Sequence, residues 1–223
     1  MRPVNKGHKD TVYDPYNTAK RDLFEAIGPY CSYCERKIEL GGAIEHVQPK
    51  SRVEEKECIW DNFLLGCVNC NSTKGDTDIN DANINDYAWP DIDDTYHLIK
   101  YDPVTYIPAP ADNLSNSDHE RADKLIKLVG LNKPSPKLGT IKYKEASDLR
   151  VEKRKEVASY AKEYKDDFLS IEDAGKPYFF KNLKLLVKEM GLWSIWMHEM
   201  EDIPELRAVL LDLLPGTRKE FFE

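Results

Sequence analysis

No stretch of the sequence stays apolar for the roughly 18 residues that a bilayer-spanning helix requires, so no membrane-embedded protein is expected. Met1 to Asp10 lack the apolar h-region of a secretory signal, and the reading is a soluble, cytoplasmic protein. Positive charge is in deficit. The chain has 32 Lys and Arg against 40 Asp and Glu, a balance of −8, which excludes a generic basic coat for nucleic acid or an anionic membrane. Internal repeats and low-complexity tracts are also missing. What is present suffices for a packed core: 41% of the 223 residues are hydrophobic and 32% charged.

An even cysteine count is lacking too. There are five, and with no export signal a disulfide framework is not expected. Four of them form two C-x-x-C pairs, Cys31-Ser-Tyr-Cys34 and Cys67-Val-Asn-Cys70. Two intervening residues let one tight turn aim both sulfurs at a single metal. Two such turns supply the four-sulfur tetrahedral environment preferred by structural zinc. No βαβ pattern surrounds either pair, so a redox motif is the weaker reading. Cys58 lies outside the pairs and reads as a small buried residue.

Four regions are expected along the chain. Residues 1–29 form a lead-in, with Tyr16 to Ile27 helical and Gly28-Pro29 ending the helix. Residues 30–80 hold the cysteine-rich module. Within 81–110, the aspartates that run from Gly75 to Ile99 without a Lys or Arg read as an acidic, exposed connector. A hairpin follows, with His97–Tyr101 and Val104–Ile107 flanking Asp102-Pro103. Residues 111–223 then change to a period of 3.6. The apolar stripes are Ala122/Leu125/Ile126/Val129, Val157/Tyr160/Ala161/Tyr164/Phe168, Phe179/Leu183/Leu186/Met190, Trp193/Trp196 and Leu206/Val209/Leu210/Leu213. Gly130 marks one helix stop, while Pro204 and Pro215-Gly216 bracket the last helix. The stripe of Phe179, Phe180, Trp193, Trp196, Met197 and Met200 reads as core, and Glu152–Glu156 as a solvated helix face.

Between the cysteine pairs lies Glu45-His46-Val-Gln-Pro49-Lys50-Ser51, then Trp60-Asp-Asn62, and after the second pair Asn71-Ser-Thr-Lys74-Gly75. On a strand, neighbouring side chains face opposite ways, so Glu45 and His46 share one centre only if the strand twists or ends there, and Pro49 suits an end. Asn71 follows a zinc cysteine directly and is positioned by it. Glu45 and Asn71 are oxygen donors suited to a hard divalent ion such as magnesium. A neutral imidazole beside such an ion can take a proton from water.

Glu-His, then Asn, then Asn-x-x-Lys, braced by two C-x-x-C pairs, resembles the HNH nuclease motif of the ββα-metal fold over about Tyr30 to Gly75. The fold class expected is therefore α+β: a ββα-metal HNH module with zinc-bound C-x-x-C pairs, then a β-hairpin and an α-helical C-terminal domain. The resemblance implies that His46 is the general base for phosphodiester hydrolysis, and that Glu45 and Asn71 hold a catalytic Mg2+ or Mn2+. It further implies that Asn62 orients the loop carrying His46 and that Lys74 neutralises a phosphate. Cys31, Cys34, Cys67 and Cys70 would hold structural zinc, which substitutes for core in a small module. The chain departs from the common pattern twice, with Glu45 where Asp is more frequent and Asn71 in place of His.

Residues 44–51 and 60–75, together with Gly191-Leu-Trp-Ser-Ile-Trp196 and Leu214-Pro-Gly-Thr217, are similar to the HNH nucleases of phage-defence operons, the PtuB-type effectors of Septu and some retron systems. That likeness implies a PtuA-like ATPase partner docking on the helical half. It also implies, in retrons, a reverse transcriptase and its DNA product. Phosphate contacts supply most non-specific affinity for nucleic acid, and Lys37, Lys50, Arg52 and Lys74 are the local cations, with Arg36 and Arg2 extending the patch. DNA and an RNA such as tRNA both stay open as substrate. Two other functions stay open beside the defence effector: a stand-alone restriction-type HNH nuclease, for which no basic recognition helix is found, and a non-catalytic zinc-ribbon adaptor.

Overall fold

The computed structural model describes residues 1–38, 42–134 and 148–223. Both the cysteine-rich module and the helical half therefore contain a short stretch outside the described residues.

The module is built on two antiparallel strands joined by the long loop 47–62. Strand β1 (Ala43–His46) pairs antiparallel with β2 (Phe63–Gly66) in the register Ala43↔Gly66, Ile44↔Leu65, Glu45↔Leu64 and His46↔Phe63. Helix α2 (Val68–Lys74) follows β2 after a single residue, Cys67, and packs against both strands. The arrangement is β-β-α. The first cysteine turn docks on the free edge of β2: Ser32 N–H donates to Leu65 O at 2.8 Å, and Leu65 N–H donates back to Ser32 Oγ at 3.2 Å. Glu35, at φ 60°, closes that turn and reaches the C-terminal half. Its carboxylate accepts from the Ser194 N–H at 2.7 Å and the Ser194 hydroxyl at 2.5 Å.

The expected lead-in helix forms as a 3-10 turn, Tyr16–Ala19, running into α1 (Lys20–Ile27), which buries Leu23 and Ile27. Gly28 ends it at φ +77°, a conformation open to glycine at no steric cost.

Two expectations for the middle of the chain are corrected. The acidic segment is not a free connector, because Ile79, Ala88, Trp89 and Thr95 are buried and anchor it. Its carboxylates face basic residues of α4 (Asn116–Leu128), with Asp93 on Arg121 at 2.8 Å and Asp86 on Lys124 at 2.9 Å. The hairpin exists with another register. One helical turn, α3 (Thr95–Leu98), leads into β3 (Ile99–Tyr101), which pairs with β4 (Pro108–Pro110) as Ile99↔Pro110. Residues Val104–Ile107 form the turn instead of a strand. Asp102 Oδ1 accepts from the Val104 and Thr105 N–H groups, and a side chain that satisfies backbone donors locally competes with strand pairing.

The helical stripes fold as expected, except that Tyr160 of the second stripe is exposed. α4 stops before Gly130, at φ +60°, and is followed by α5 (Arg150–Ser170), α6 (Lys176–Met190), α7 (Trp193–Met200) and α8 (Pro204–Leu211). Phe179, Trp193, Trp196, Met197 and Met200 are buried, as core residues should be, and Phe180 is partly buried. α4 packs with the module's apolar core, whereas α5 to α8 form a second one around the two tryptophans. The run Glu152–Glu156 is not wholly solvated: Arg154 in its centre is 1% exposed. No helix among the described residues is long and apolar enough to cross a membrane.

Candidate functional site

The four paired cysteines converge. Cys31 and Cys34 sit on the first turn, Cys67 precedes α2 and Cys70 lies in its first turn, and all four are buried. Their sulfurs lie within 4.8 Å of one another, with Cys34 and Cys67 at 3.5 Å. Zn–S bonds of about 2.3 Å put tetrahedral sulfurs about 3.8 Å apart, so the cluster suits the ion that four thiolates prefer. Hydrogen bonds from the neighbouring thiols hold the Cys67 thiol far below its ordinary value, while burial pushes Cys31 up. The fifth cysteine, Cys58, is half-exposed, not buried.

Neighbouring residues of β1 divide the remaining chemistry between two faces. Glu45 points inward and is 2% exposed. Its Oε1 meets Lys74 Nζ at 2.6 Å, and its Oε2 accepts from the Tyr33 hydroxyl at 2.5 Å. Burial pushes the Glu45 carboxyl up, against the pull of Lys74 and Tyr33 in the other direction. Lys74 also donates to His46 O at 2.6 Å. This corrects the expectation that Lys74 meets a substrate phosphate. Its side chain is 1% exposed and both of its partners belong to β1, since a buried ammonium beside a buried carboxylate must pair with it.

His46 points to the other face, between the rings of Tyr16, 4.8 Å away, and Phe63, 5.3 Å away, each edge-on. Its Nε2 lies 2.8 Å from Glu57 O. A carbonyl oxygen only accepts, so Nε2 carries the proton of the neutral ring and Nδ1 carries the lone pair. Burial lowers the His46 pKa below its ordinary 6.5, so this neutral form prevails at pH 7. Asn62 braces the loop that supplies Glu57. Its Oδ1 accepts from Gln48 N–H at 2.8 Å, and its Nδ2 donates to Gln48 O at 2.9 Å and Lys56 O at 3.1 Å.

Asn71 and Glu45 meet over Gly66. A Cβ at Gly66 would lie 3.1 Å from the Glu45 side chain and 3.3 Å from Asn71 Cβ, so the glycine keeps a cradle between them. Each carboxylate oxygen has two acceptor positions, and Lys74 and Tyr33 use one apiece. Carboxylate and amide oxygens are the donor types of a hard divalent ion. The Glu45 carboxylate, however, is 2% exposed and already paired with Lys74 and Tyr33, which leaves little room for the waters such an ion keeps.

Of the expected cations, Lys50 stands beside His46, with Nζ 4.4 Å from the Tyr16 ring centroid and 2.9 Å from Glu57 Oε1. Arg52 is exposed on the same loop, 3.5 Å from Asp76. Lys37 is tied to Glu189 of α6 at 2.7 Å. Arg2 does not extend the patch: it is buried, donating to Ile27 O at 2.5 Å and Pro215 O at 3.0 Å. Sequence reasoning missed Tyr33 and Tyr16. Tyr33 lies inside the first C-x-x-C, a place that signals it. Tyr16 carries no motif.

Residues 31–77, about a fifth of the chain, match the family model described as HNH endonuclease. The match begins at the first zinc-type cysteine and runs past the end of α2. Together with the cysteine cluster it identifies an HNH-type nuclease domain in this enzyme. No curated protein matches the chain.

Proposed function

From the HNH-type endonuclease domain of residues 31–77, we propose that the chain hydrolyses phosphodiester bonds of nucleic acid with a catalytic divalent ion, as the effector of a phage-defence complex. The observation that carries the chemistry is the 2.8 Å bond from His46 Nε2 to Glu57 O, which leaves Nδ1 as the free base. His46 Nδ1 takes a proton from water, the water oxygen attacks phosphorus, and the bond to the 3′ oxygen breaks. Lys50, beside the imidazole, faces the phosphate together with Arg52. Asn62 keeps the Glu57 carbonyl in place, so it acts through His46 without touching substrate.

Glu45 and Asn71 would hold an ion of the magnesium or manganese class. The chemistry such an ion would supply is stabilisation of charge on a phosphate. Because β1 turns Glu45 away from the His46 imidazole, ion and base would meet on one phosphodiester only through a change at that strand. Lys74 and Tyr33 fix the Glu45 carboxylate from inside the fold, which makes them positioning residues in this reading. The four cysteines would hold structural zinc.

The defence role rests on the likeness of residues 44–51, 60–75 and 191–196 to PtuB-type effectors. That likeness brings a PtuA-like ATPase as partner and, in a retron setting, a reverse transcriptase and its DNA. In support, α5 and α6 leave Tyr160, Leu169, Tyr178 and Leu185 exposed at 41% to 74%, apolar material available to a partner protein. A balance of −8 also fits a nuclease that is brought to its substrate by another protein.

The test is cleavage of supercoiled plasmid and of total cellular RNA with magnesium or manganese, with and without the ATPase encoded beside it. His46→Ala should lower the cleavage rate by about 10²–10⁴-fold while folding and zinc content stay unchanged. Equal cutting by the variant would remove His46 from the mechanism. The substrate consumed decides between DNA and RNA.

A further inference from the structure

The first turn of α5 brings an arginine onto the cysteine cluster from well outside the matched domain. Arg150 is 4% exposed, and its Nη1 lies 3.3 Å from Cys70 Sγ. The same guanidinium donates to Val129 O at 2.9 Å and Gly130 O at 2.7 Å, the carbonyls just past the end of α4, and pairs with Asp148 at 2.7 Å. One turn further along α5, Arg154 is buried as well and donates to Tyr106 O at 2.8 Å and Leu131 O at 2.9 Å. Two guanidiniums from one helix thus enter the interior on the side of the sulfurs.

A zinc ion with four thiolates carries two negative charges, and a buried net charge is costly unless a counter-charge and hydrogen bonds meet it. The guanidinium–sulfur contact supplies both to Cys70. The remaining donors of Arg150 go to the Asp148 carboxylate and to Val129 O and Gly130 O, just past the end of α4. One side chain therefore links a metal-binding sulfur, the end of α4 and the start of α5.

We propose that Arg150 is the charge partner of a zinc tetrathiolate, so that metal binding and the α4–α5 junction form one thermodynamic unit. Zinc loading fixes Arg150, and Arg150 holds the junction. With the metal removed, Arg150 loses the charged partner it meets at Cys70 Sγ, and the junction loosens while α6 to α8 keep their own apolar core. The proposal depends on the cysteine cluster and not on the cleavage reaction, so it can fail or stand apart from the nuclease reading.

The experiment uses the full chain. Zinc affinity is measured by competition with a chromophoric chelator, and the cobalt-substituted protein gives the thiolate-to-metal spectrum. Arg150→Met should weaken zinc binding about 10–100-fold and alter the cobalt spectrum, as loss of a partner to a metal ligand does. Arg150→Lys should recover part of the affinity. Zinc affinity within twofold of wild type in Arg150→Met would overturn the proposal. If that variant does not fold, hydrogen exchange of wild type with and without chelator decides. Protection should fall at 126–130 and 150–155 as well as at the cysteine turns. Loss confined to 30–75, or spread equally over α6 to α8, would overturn it.

Discussion

The β-β-α module and the α5–α8 region bury their interiors by different means. The module rests on two strands of four residues and one two-turn helix, and its interior contains four thiols and the Glu45–Lys74 pair. The helical region buries Trp193, Trp196, Met197 and Met200, and the charges it buries, Arg150 and Arg154, sit on α5 and are met by carbonyls of neighbouring segments. An interior of sulfur and ion pairs is directional, since each group needs a particular partner, whereas an apolar interior needs only volume filled. The module accordingly adds groups held by specific partners to an apolar core that includes Trp60, Phe63 and Leu64, whereas the interior of α5–α8 is filled chiefly by aromatic and methionine side chains.

The largest effect should come from the apolar side. Trp196→Ala removes a fully buried indole and should cost about 3–5 kcal/mol, seen as a lowered thermal midpoint. Bound zinc at 25 °C should be unchanged, and its loss would show that the two regions melt as one. On the module side, Tyr33→Phe strips one hydrogen bond from a buried carboxylate and should cost about 1.5–3 kcal/mol with little change of volume. The Glu45 carboxyl should then titrate still higher, because Tyr33 is among the groups that pull it down.

The pH profile gives a step of about 1.4 kcal/mol per pH unit. Burial favours neutral His46, so the base is lost only as pH falls through a value below 6.5. The acid limb of the cleavage rate should therefore have its midpoint under that value. A midpoint above it would remove His46 as the titrating base. Smallest of all is Lys37→Met. It breaks a pair whose Glu189 partner is 71% exposed, and should change stability by no more than about 1 kcal/mol, by denaturant titration. A larger loss would mean that this pair locks the module to α6.

Periodicity and spacing made the helices and the sulfur cluster legible in the sequence, because each depends on residues close along the chain. The stripe Ala122/Leu125/Ile126 and the pairs Cys31/Cys34 and Cys67/Cys70 are of that kind. What was not legible depends on which distant groups meet. Lys74 looks like a surface cation until β1 brings Glu45 beneath it. Arg154 sits in a charge run yet turns inward to two carbonyls. The β3–β4 register escaped notice because Asp102 builds a longer turn than its Pro103 neighbour suggests. The partition of Glu45 and His46 onto opposite faces was foreseeable from strand geometry. Tyr16, which covers His46 from a segment 30 residues earlier, was not.

The atom that fixes the proton on His46 belongs to the main chain at position 57, so no exchange of the side chain there can erase it. The orientation of the base is instead encoded as a length: the number of residues that bring the chain from Val47 around to Asn62. Substitution of the Glu57 side chain alone should therefore leave the tautomer in place. A single residue added or deleted would slide another carbonyl, or none, beneath the imidazole and move the lone pair from one nitrogen to the other. For this protein the arc behaves as a ruler, whose length sets the tautomer of the base.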